Sequence, residues 1–342
     1  MILLMIGIGT VRYALALAVL LLHADYVTFE VAQIAVLTFL YISGFLMERS
    51  FQQYSSGGRF LFNRALRVLP SFLVVAIATW WIIRIADDDF RRAFGFIYLR
   101  EAVDSSQDSY PALGSIAALE WVSAQPYLGF ESELVPQAWS IGNELVFYLT
   151  VPLLALLGTG ALIAILSGSA LFLVIQLLIR MEEFDYAIYT NVLATYLFFI
   201  AGYLVSRVLR ERSGSAGPRR LWSGSWALVL ILVAYFLEFP DRESPLLVMS
   251  YSVILMTLIT LGPLGGNRGV ESSLSRYMGK LSYPLYISHM IAIGILNKFS
   301  LLNVPILFLT STLIAALLYY GVEKPVERLR EKQKAPLRGP FE

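Results

Sequence analysis

Long apolar stretches separated by short polar segments follow one another along the whole chain. A helix needs about 20 residues to cross a bilayer, and stretches of this length occur about ten times. They lie at roughly 3–23, 29–48, 69–86, 138–157, 160–179, 187–206, 222–238, 245–263, 281–297 and 302–322. The pattern therefore predicts an all-α, polytopic membrane protein of about ten transmembrane helices.

One long segment, at 87–137, does not fit this alternation. Its middle, near 110–130, is moderately apolar and rich in aromatic residues, but it also contains Pro111, Pro126 and Glu120. We interpret this part as a re-entrant or interfacial segment, since non-helical backbone at membrane depth must be buried in protein or line a cavity. The alternative is a pair of additional membrane helices.

The basic residues concentrate on alternate connections between the apolar stretches, as the positive-inside rule requires. The three basic segments contain Arg49, Arg59, Arg64 and Arg67; Arg207, Arg210, Arg212, Arg219 and Arg220; and Lys324, Arg328, Arg330, Lys332, Lys334 and Arg338. The opposite connections carry Asp87, Asp88 and Asp89; Glu182, Glu183 and Asp185; and Glu238, Asp241 and Glu243. This alternation predicts a multi-pass protein of the plasma (inner) membrane with both termini cytoplasmic. Within the second basic segment, Ser213-Gly214-Ser215 and Gly217-Pro218 predict a flexible loop at 207–220.

Composition agrees with a membrane protein, because 57% of the residues are hydrophobic and only 15% are charged. The chain has no cysteine and two histidines, which argues against a metal centre and excludes a cysteine acyl-enzyme. Topology accounts for the basic residues, so nucleic-acid binding is not expected. We predict one transmembrane domain at 1–322 and a short basic cytoplasmic tail at 323–342.

The first apolar stretch contains two ionisable residues, Arg12 and His23. Eleven residues correspond to about 16 Å of helix and close to three turns, so both side chains project from one face. Ionisable groups in a membrane helix are costly and usually face a protein-lined cavity, which favours a polar path. The alternative is that Arg12 extends to a headgroup while His23 lies at the opposite interface.

A second basic feature follows the second apolar stretch, where Arg64 and Arg67 are three residues apart. On a helical turn they project together and form a forked pair of guanidinium groups suited to phosphate, such as the phosphates of coenzyme A. They could equally be ordinary cytoplasmic-side arginines. Glu323, at the end of the last stretch, is a candidate ion-pair partner for this arginine segment, while Ser43 and Gly44 are typical of close helix packing.

Two later stretches carry polar residues at helical spacing. Ser140, Glu144 and Tyr148 occupy positions i, i+4 and i+8 of the fourth stretch, and Ser282, Tyr286 and His289 occupy i, i+4 and i+7 of the ninth. A carboxylate at membrane depth needs a partner, so Glu144 could accept a hydrogen bond from His23 or pair with an arginine. A buried histidine such as His289 is also a common packing element.

In this order and at these spacings, the segments resemble the acyltransferase 3 family of integral membrane O-acyltransferases. The resemblance rests on Arg12 with His23, Ser43-Gly44-Phe45, Arg64-Ala65-Leu66-Arg67 with Pro70, Trp139-Ser140 with Glu144 and Phe147-Tyr148, Gly279-Lys280-Leu281-Ser282-Tyr283 with Leu285-Tyr286 and His289, and Glu323-Lys324-Pro325. The chain departs from the family pattern at Gly9-Thr10-Val11, Gly142-Asn143 and Ser288.

The resemblance implies transfer of an acyl group, with acetyl as the expected identity, from cytoplasmic acyl-CoA to a hydroxyl of an extracytoplasmic glycan or glycoside. It implies His23 as general base, oriented by Glu144, with Arg64 and Arg67 on the CoA phosphates and Arg12 near the thioester. Residues with a substrate or oxyanion role would be Ser140, Tyr148, Ser282, Tyr286 and His289. No permanently bound cofactor is expected.

Three alternatives stay open at this point. A serine or a histidine could take the acyl group first and pass it outward. The chain could be a secondary transporter, although no internal repeat of the kind common in transporters is visible. It could also be a polysaccharide-export component without catalysis.

Overall fold

The structure is a computed structural model that describes residues 7–85, 135, 137–179, 192–211, 245–260 and 272–332. All regular secondary structure in these ranges is helical. The predicted re-entrant segment near 110–130 and the predicted span at 222–238 lie outside the described residues.

Helices occupy the other nine predicted apolar stretches. They are α1 (Ile8–His23), α2 (Phe29–Phe51), α3 (Gly57–Ile85), α4 (Ala138–Leu154), α5 (Thr159–Ile179), α6 (Val192–Glu211), α7 (Pro245–Ile259), α8 (Ser273–Lys298) and α9 (Val304–Leu318), which a π-helical turn (Tyr319–Glu323) joins to α10 (Lys324–Glu331). By length and apolar composition, four helical segments of the described chain could cross a membrane: Phe29–Phe51, Gly57–Ile82, Val192–Glu211 and Val304–Glu331.

Several predicted boundaries are wrong, and α8, for example, begins at Ser273 and not near residue 281. Helix α3 begins at Gly57 and not near residue 69, and α6 continues to Glu211, so the start of the predicted loop at 207–220 is helical. Hydropathy ends an apolar stretch at the first arginines, but arginine is itself a good helix former, so the backbone stays helical. Arg207 is 7% exposed and donates to the carbonyl of Leu157.

The chain divides into two compact units, which are described separately. Unit 1 comprises Met1–Arg49, Leu157–Tyr189 and Leu193–Ser282, and unit 2 comprises Ser50–Leu156, Thr190–Val192 and Tyr283–Glu342.

In unit 1, α1 and the beginning of α8 approach each other closely through glycine. A Cβ atom on Gly9 would lie 2.0 Å from the carbonyl oxygen of Ser275, and one on Gly279 would lie 2.8 Å from Cα of Gly9. The amide of Thr10 also donates to Oγ of Ser275 at 3.1 Å. Gly9, one of the positions where the sequence departs from the family pattern, is therefore a packing residue, because any side chain there would separate α1 from α8.

A second glycine contact joins α2 to α6 in the same unit. A Cβ atom on Gly44 would lie 1.9 Å from the carbonyl oxygen of Phe199, and one on Gly202 would lie 2.0 Å from that of Tyr41. The prediction that Gly44 allows close helix packing is confirmed. Small residues have this role in membrane helices because backbone contact replaces the hydrophobic driving force that acts in water.

A buried carboxylate reinforces the same helix pair. Glu48 of α2 has no exposed surface; it accepts a hydrogen bond from Ser206 at 3.0 Å and from Nε of Arg210 at 2.9 Å. The Arg210 side chain is 45% exposed, so the carboxylate is the more buried partner of this ion pair. Its charge is compensated by two residues one turn apart on α6.

Unit 2 contains α3, α4, most of α8 and the continuous helix from α9 to α10. Phe60 of α3 is fully buried, and its ring packs edge-on against the rings of Phe51, Tyr54 and Tyr148 with centroids 5.3, 5.6 and 6.5 Å away. These aromatic contacts join α3 to α4.

Helix α9 is apolar on two faces. Leu307, Ala315 and Leu318 are buried, whereas Leu309 and Leu317 are 67% and 65% exposed. A helix of a water-soluble protein usually has one apolar face, so an apolar exterior of this kind is typical of contact with lipid.

We expect Gly44→Ala to prevent the native contact between α2 and α6, because the new methyl group would overlap a backbone oxygen that cannot rotate away. Overpacking of this kind costs about 1–3 kcal/mol or more. The measurement is the thermal unfolding midpoint and the monodisperse fraction of detergent-solubilised protein. Gly168→Ala, in α5 where no atom lies within 4 Å of the new Cβ, is the control. An unchanged midpoint for Gly44→Ala would contradict this packing.

The buried ion pair predicts an asymmetry between its two partners. Arg210→Ala leaves a fully buried carboxylate without its cation, at a cost of about 3 kcal/mol or more, whereas Glu48→Gln leaves a partly exposed arginine that water can solvate. Arg210→Ala should therefore lower the unfolding midpoint more than Glu48→Gln, and the double variant should recover part of the loss. Equal effects of the two single variants on the unfolding midpoint would contradict the assignment of Glu48 as the more buried partner of the ion pair.

Candidate functional site

Helix α3 places two predicted phosphate-binding arginines in unit 2. The Arg64 side chain lies over the Phe60 ring, with Cζ 5.5 Å from its centroid, and Nη2 donates to the Tyr54 hydroxyl at 3.1 Å and to Oδ1 of Asn63 at 2.9 Å. Arg64 is 9% exposed, so its side chain is held in one orientation by a ring and two neutral oxygens.

A third arginine, Arg330 of α10, joins this pair. Asn63 donates through Nδ2 to the backbone carbonyl of Arg330 at 2.7 Å, and Nη2 of Arg330 donates back to Oδ1 of Asn63 at 3.4 Å. Arg330 lies close enough to Arg64 and Arg67 to experience repulsion from both charges. We call Arg64, Arg67 and Arg330 the arginine cluster.

The carboxylate of the cluster is Glu323, which forms an ion pair with Arg67 and accepts a hydrogen bond from Oγ of Ser71 at 3.3 Å. The predicted pairing of Glu323 with the arginine segment is confirmed. Glu323 is the last residue of the π-helical turn and is 5% exposed. Because a π-turn holds one residue more than an α-turn, it rotates the side chains that follow relative to a continuous α-helix, and such turns occur frequently at functional sites.

The three guanidinium groups of the arginine cluster lie close enough for their positive charges to repel one another. Arg67 is paired with Glu323, which also acts electrostatically on Arg330, while Arg64 and Arg330 both donate to Oδ1 of Asn63. Guanidinium groups held together in this way are suited to bidentate contact with phosphate oxygens.

Polar side chains continue from the cluster along α8 and α4. Arg67 lies over the Tyr283 ring, 5.6 Å from its centroid, and the Tyr283 hydroxyl donates to the carbonyl of Val68 at 2.8 Å. The Tyr148 hydroxyl donates to Oε1 of Glu144. Unit 2 therefore connects the arginine cluster to the predicted glutamate through two buried tyrosines.

Glu144 lies midway along α4 and is only partly buried. Its carboxylate acts electrostatically on both Tyr283 and Tyr286, two buried residues that lie about one turn apart on α8. The predicted spacing of Ser140, Glu144 and Tyr148 is thus realised as one polar face that spans about 12 Å.

Beyond Glu144, α4 and α8 are joined by a pair of hydroxyls. Oγ of Ser140 and the hydroxyl of Tyr286 are 2.7 Å apart. His289 is fully buried, and its Nδ1 lies 2.8 Å from the carbonyl oxygen of Tyr286. Since a carbonyl only accepts, Nδ1 of His289 carries a hydrogen in this arrangement.

In unit 1, α1 carries both Arg12 and His23, and both side chains are half-buried. The helix ends directly after His23. Asp25 adopts a left-handed φ of 60°, while its amide donates to the carbonyl of Leu22 and that of Tyr26 to the carbonyl of Leu21. These two bonds form a Schellman motif, which fixes His23 in the last turn.

The imidazole of His23 is oriented by its own helix. Nδ1 lies 2.9 Å from the carbonyl oxygen of Val19, so the hydrogen of the neutral ring is on Nδ1 and the lone pair is on Nε2. Asp25 is the described carboxylate that acts electrostatically on this ring. A base with its proton-accepting nitrogen defined in this way can remove a proton from a hydroxyl.

Two predicted roles stay predictions: Glu144 as the residue that orients His23, and Ser282 as a donor to the oxyanion. His23 belongs to unit 1 and Glu144 to unit 2, and each is described only within its unit. The Ser282 hydroxyl donates to the carbonyl of Gly279 at 2.9 Å, a bond within α8.

Sequence reasoning missed four residues of the candidate site: Tyr54, Asn63, Gln137 and Arg330. Arg330 had been attributed to the positive-inside rule. Asn63 precedes Arg64 and Gln137 precedes Trp139-Ser140, so their positions beside recognised motifs were the available signal.

Comparison with known proteins identifies one family. The family model described as an acyltransferase domain matches residues 5–320. Neither the curated protein sequences nor the solved structures give a significant match. A family match over nearly the whole chain, together with helices apolar enough to cross a membrane, indicates a membrane acyltransferase that acts on an acyl donor and an acceptor. The chain belongs to the acyltransferase 3 family.

Proposed function

We propose that the protein transfers an acyl group from acyl-CoA to a hydroxyl of an extracytoplasmic glycan or glycoside. The observation that carries this proposal is the arginine cluster, in which Asn63 links Arg64 to Arg330 while Arg67 lies beside them, paired with Glu323. Acetyl-CoA is the simplest donor and the one to be tested first.

The donor proposal follows from charge and geometry. Coenzyme A carries a diphosphate and a 3′-phosphate, so it brings several negative charges to one end of an otherwise uncharged arm. Arg64 and Arg330 would bind phosphate oxygens, while Glu323 holds Arg67 in place. Arginine is suited to this role because its planar group makes two parallel hydrogen bonds to one phosphate.

The chemical step requires a base for the acceptor hydroxyl. Nε2 of His23 would take the hydroxyl proton as the oxygen attacks the thioester carbonyl; the new C–O bond forms, the C–S bond breaks, and the proton passes to the departing CoA thiolate. Arg12 is proposed to stabilise negative charge near the thioester, and Glu144 to stabilise the charged imidazole. Ser282 and Tyr286 stay candidate donors to the oxyanion, although each would first have to release the carbonyl that its hydroxyl contacts in this structure.

The proposal also includes the topology. Ten spans with both termini in the cytoplasm would place the arginine cluster on the side where acyl-CoA is made, in the plasma membrane. The supporting observation is the concentration of Lys and Arg in alternate connections.

His23→Ala should lower acyl transfer by about 10²–10⁴-fold, the usual contribution of a general base. The measurement is mass spectrometry of surface glycans from a deletion strain complemented with each variant, normalised to the amount of protein in the membrane. Tyr26→Phe, beyond the end of α1, is the control and should restore the ester fully. Full restoration by His23→Ala would overturn the assignment of the base.

Arg330→Gln should raise the KM for acyl-CoA by about 10–100-fold with a smaller change in kcat, because a charge-assisted hydrogen bond contributes about 1.5–3 kcal/mol. Arg328→Gln is the matched control, since it removes the same charge from an exposed position of α10. Added salt should weaken donor binding to the wild type more than to Arg330→Gln. Equal KM values for the two variants would show that α10 contributes only a general positive potential.

A further inference from the structure

Gln137, at the beginning of α4, is a buried side chain whose two ends have different surroundings. It is 2% exposed, and Nε2 donates to the backbone carbonyls of Tyr286 at 3.3 Å and Ile287 at 2.8 Å. Because both partners only accept hydrogen bonds, the amide cannot be reversed. Its oxygen Oε1 therefore points away from these carbonyls.

This oxygen is buried and has no hydrogen-bond partner in the described part of the chain. A buried acceptor left in this state costs about 1–3 kcal/mol, and such groups are rare in folded proteins. The two hydrogen bonds of Nε2 fix the orientation of the Gln137 amide. Rotation of the side chain therefore cannot remove the free-energy cost of the unpartnered oxygen. A hydrogen-bond donor from outside the described chain, such as a ligand, would remove this cost.

The neighbouring hydroxyls define which ligand would fit. Oγ of Ser140 lies 3.1 Å and the Tyr286 hydroxyl 3.3 Å from the backbone carbonyl of Gln137, and the two hydroxyls are 2.7 Å apart. Each hydroxyl has one proton to donate. Both protons are used within this group, one toward the carbonyl of Gln137 and one between the hydroxyls, so the oxygens that remain can only accept.

We call Gln137, Ser140 and Tyr286 the glutamine cluster, and a ligand that satisfies it must supply a hydrogen-bond donor. The reacting end of an acyl thioester offers only a carbonyl oxygen and an apolar chain. A polyhydroxylated acceptor offers O–H groups. Glu144, one turn further along α4, acts electrostatically on Tyr286, so the cluster adjoins the polar face of the candidate site.

We propose that the glutamine cluster is an acceptor-binding subsite, in which Oε1 of Gln137 accepts a hydrogen bond from a hydroxyl group other than the one that is acylated. The reacting hydroxyl gives its proton to the base, so a second hydroxyl must make this contact. The subsite thus selects acceptors with neighbouring hydroxyls, as carbohydrates have. This inference rests on the proposed acyl-transfer function.

The test uses the purified full-length protein in lipid nanodiscs, acetyl-CoA as donor, and the ester-free surface glycan extracted from the deletion strain as acceptor. Initial rates give separate KM values for the two substrates, and glycan binding is also measured without acetyl-CoA. Gln137→Met should raise the glycan KM and Kd by about tenfold or more, while the KM for acetyl-CoA changes less than twofold.

Two further variants keep the result interpretable. Ser140→Ala removes a neighbouring acceptor oxygen and should raise the glycan KM by about threefold or more. If Gln137→Met does not fold, the glycan KM of Ser140→Ala tests the subsite instead. Ser288→Ala is the matched control, because this buried hydroxyl on α8 donates to the carbonyl of Pro284 in its own helix. It should leave both KM values unchanged.

The possible failures are distinguishable. A wild-type protein that binds the glycan but forms no ester would refute the proposed function and leave the subsite supported if the Gln137 and Ser140 variants weaken binding. Unchanged glycan KM and Kd in both variants would overturn the subsite. A rise in the acetyl-CoA KM alone would also overturn it, since Oε1 would then accept from an amide of the pantetheine arm.

Discussion

The ion pair between Arg67 and Glu323 is the interaction on which the functional part of unit 2 depends. A guanidinium and a carboxylate inside apolar helices are each costly, and they are tolerated because each compensates the other. The pairing requires the π-helical turn that brings Glu323 inward and the early start of α3 that carries Arg67. Once α3 and α10 are held in this way, Asn63 can link Arg64 to Arg330.

The two ends of the polar face in unit 2 differ in chemistry. The arginine cluster supplies positive charge and hydrogen-bond donors, which suit phosphates, whereas the glutamine cluster supplies only acceptors, which suit hydroxyls. Glu144 and the tyrosines of α4 and α8 connect them. The proposed transfer from an anionic donor to a polyhydroxylated acceptor would use both kinds of surface, one for each substrate.

Several features of the fold were predictable because they depend on local pattern. Apolar stretches of sufficient length predicted nine helices of the described chain, and Gly44 was recognised as a packing residue from its small size alone. The limits of α3 and α6 were not predictable from hydropathy, since arginines end an apolar stretch whether or not the helix continues. The side chain of Arg207 can lie buried in α6 because the carbonyl of Leu157 accepts its hydrogen bond, and that partner is 50 residues away.

The sequence by itself determined the all-helical class, the candidate base His23 on α1, and the spacing that aligns Ser140, Glu144 and Tyr148, because helical periodicity operates within a few turns. Only the tertiary structure decided that Arg330 belongs with Arg64 and Arg67, and that Oε1 of Gln137 is left without a partner. Both facts depend on contacts between residues more than 140 positions apart. Composition and periodicity carry no information about such contacts, since they arise only when separate helices pack together.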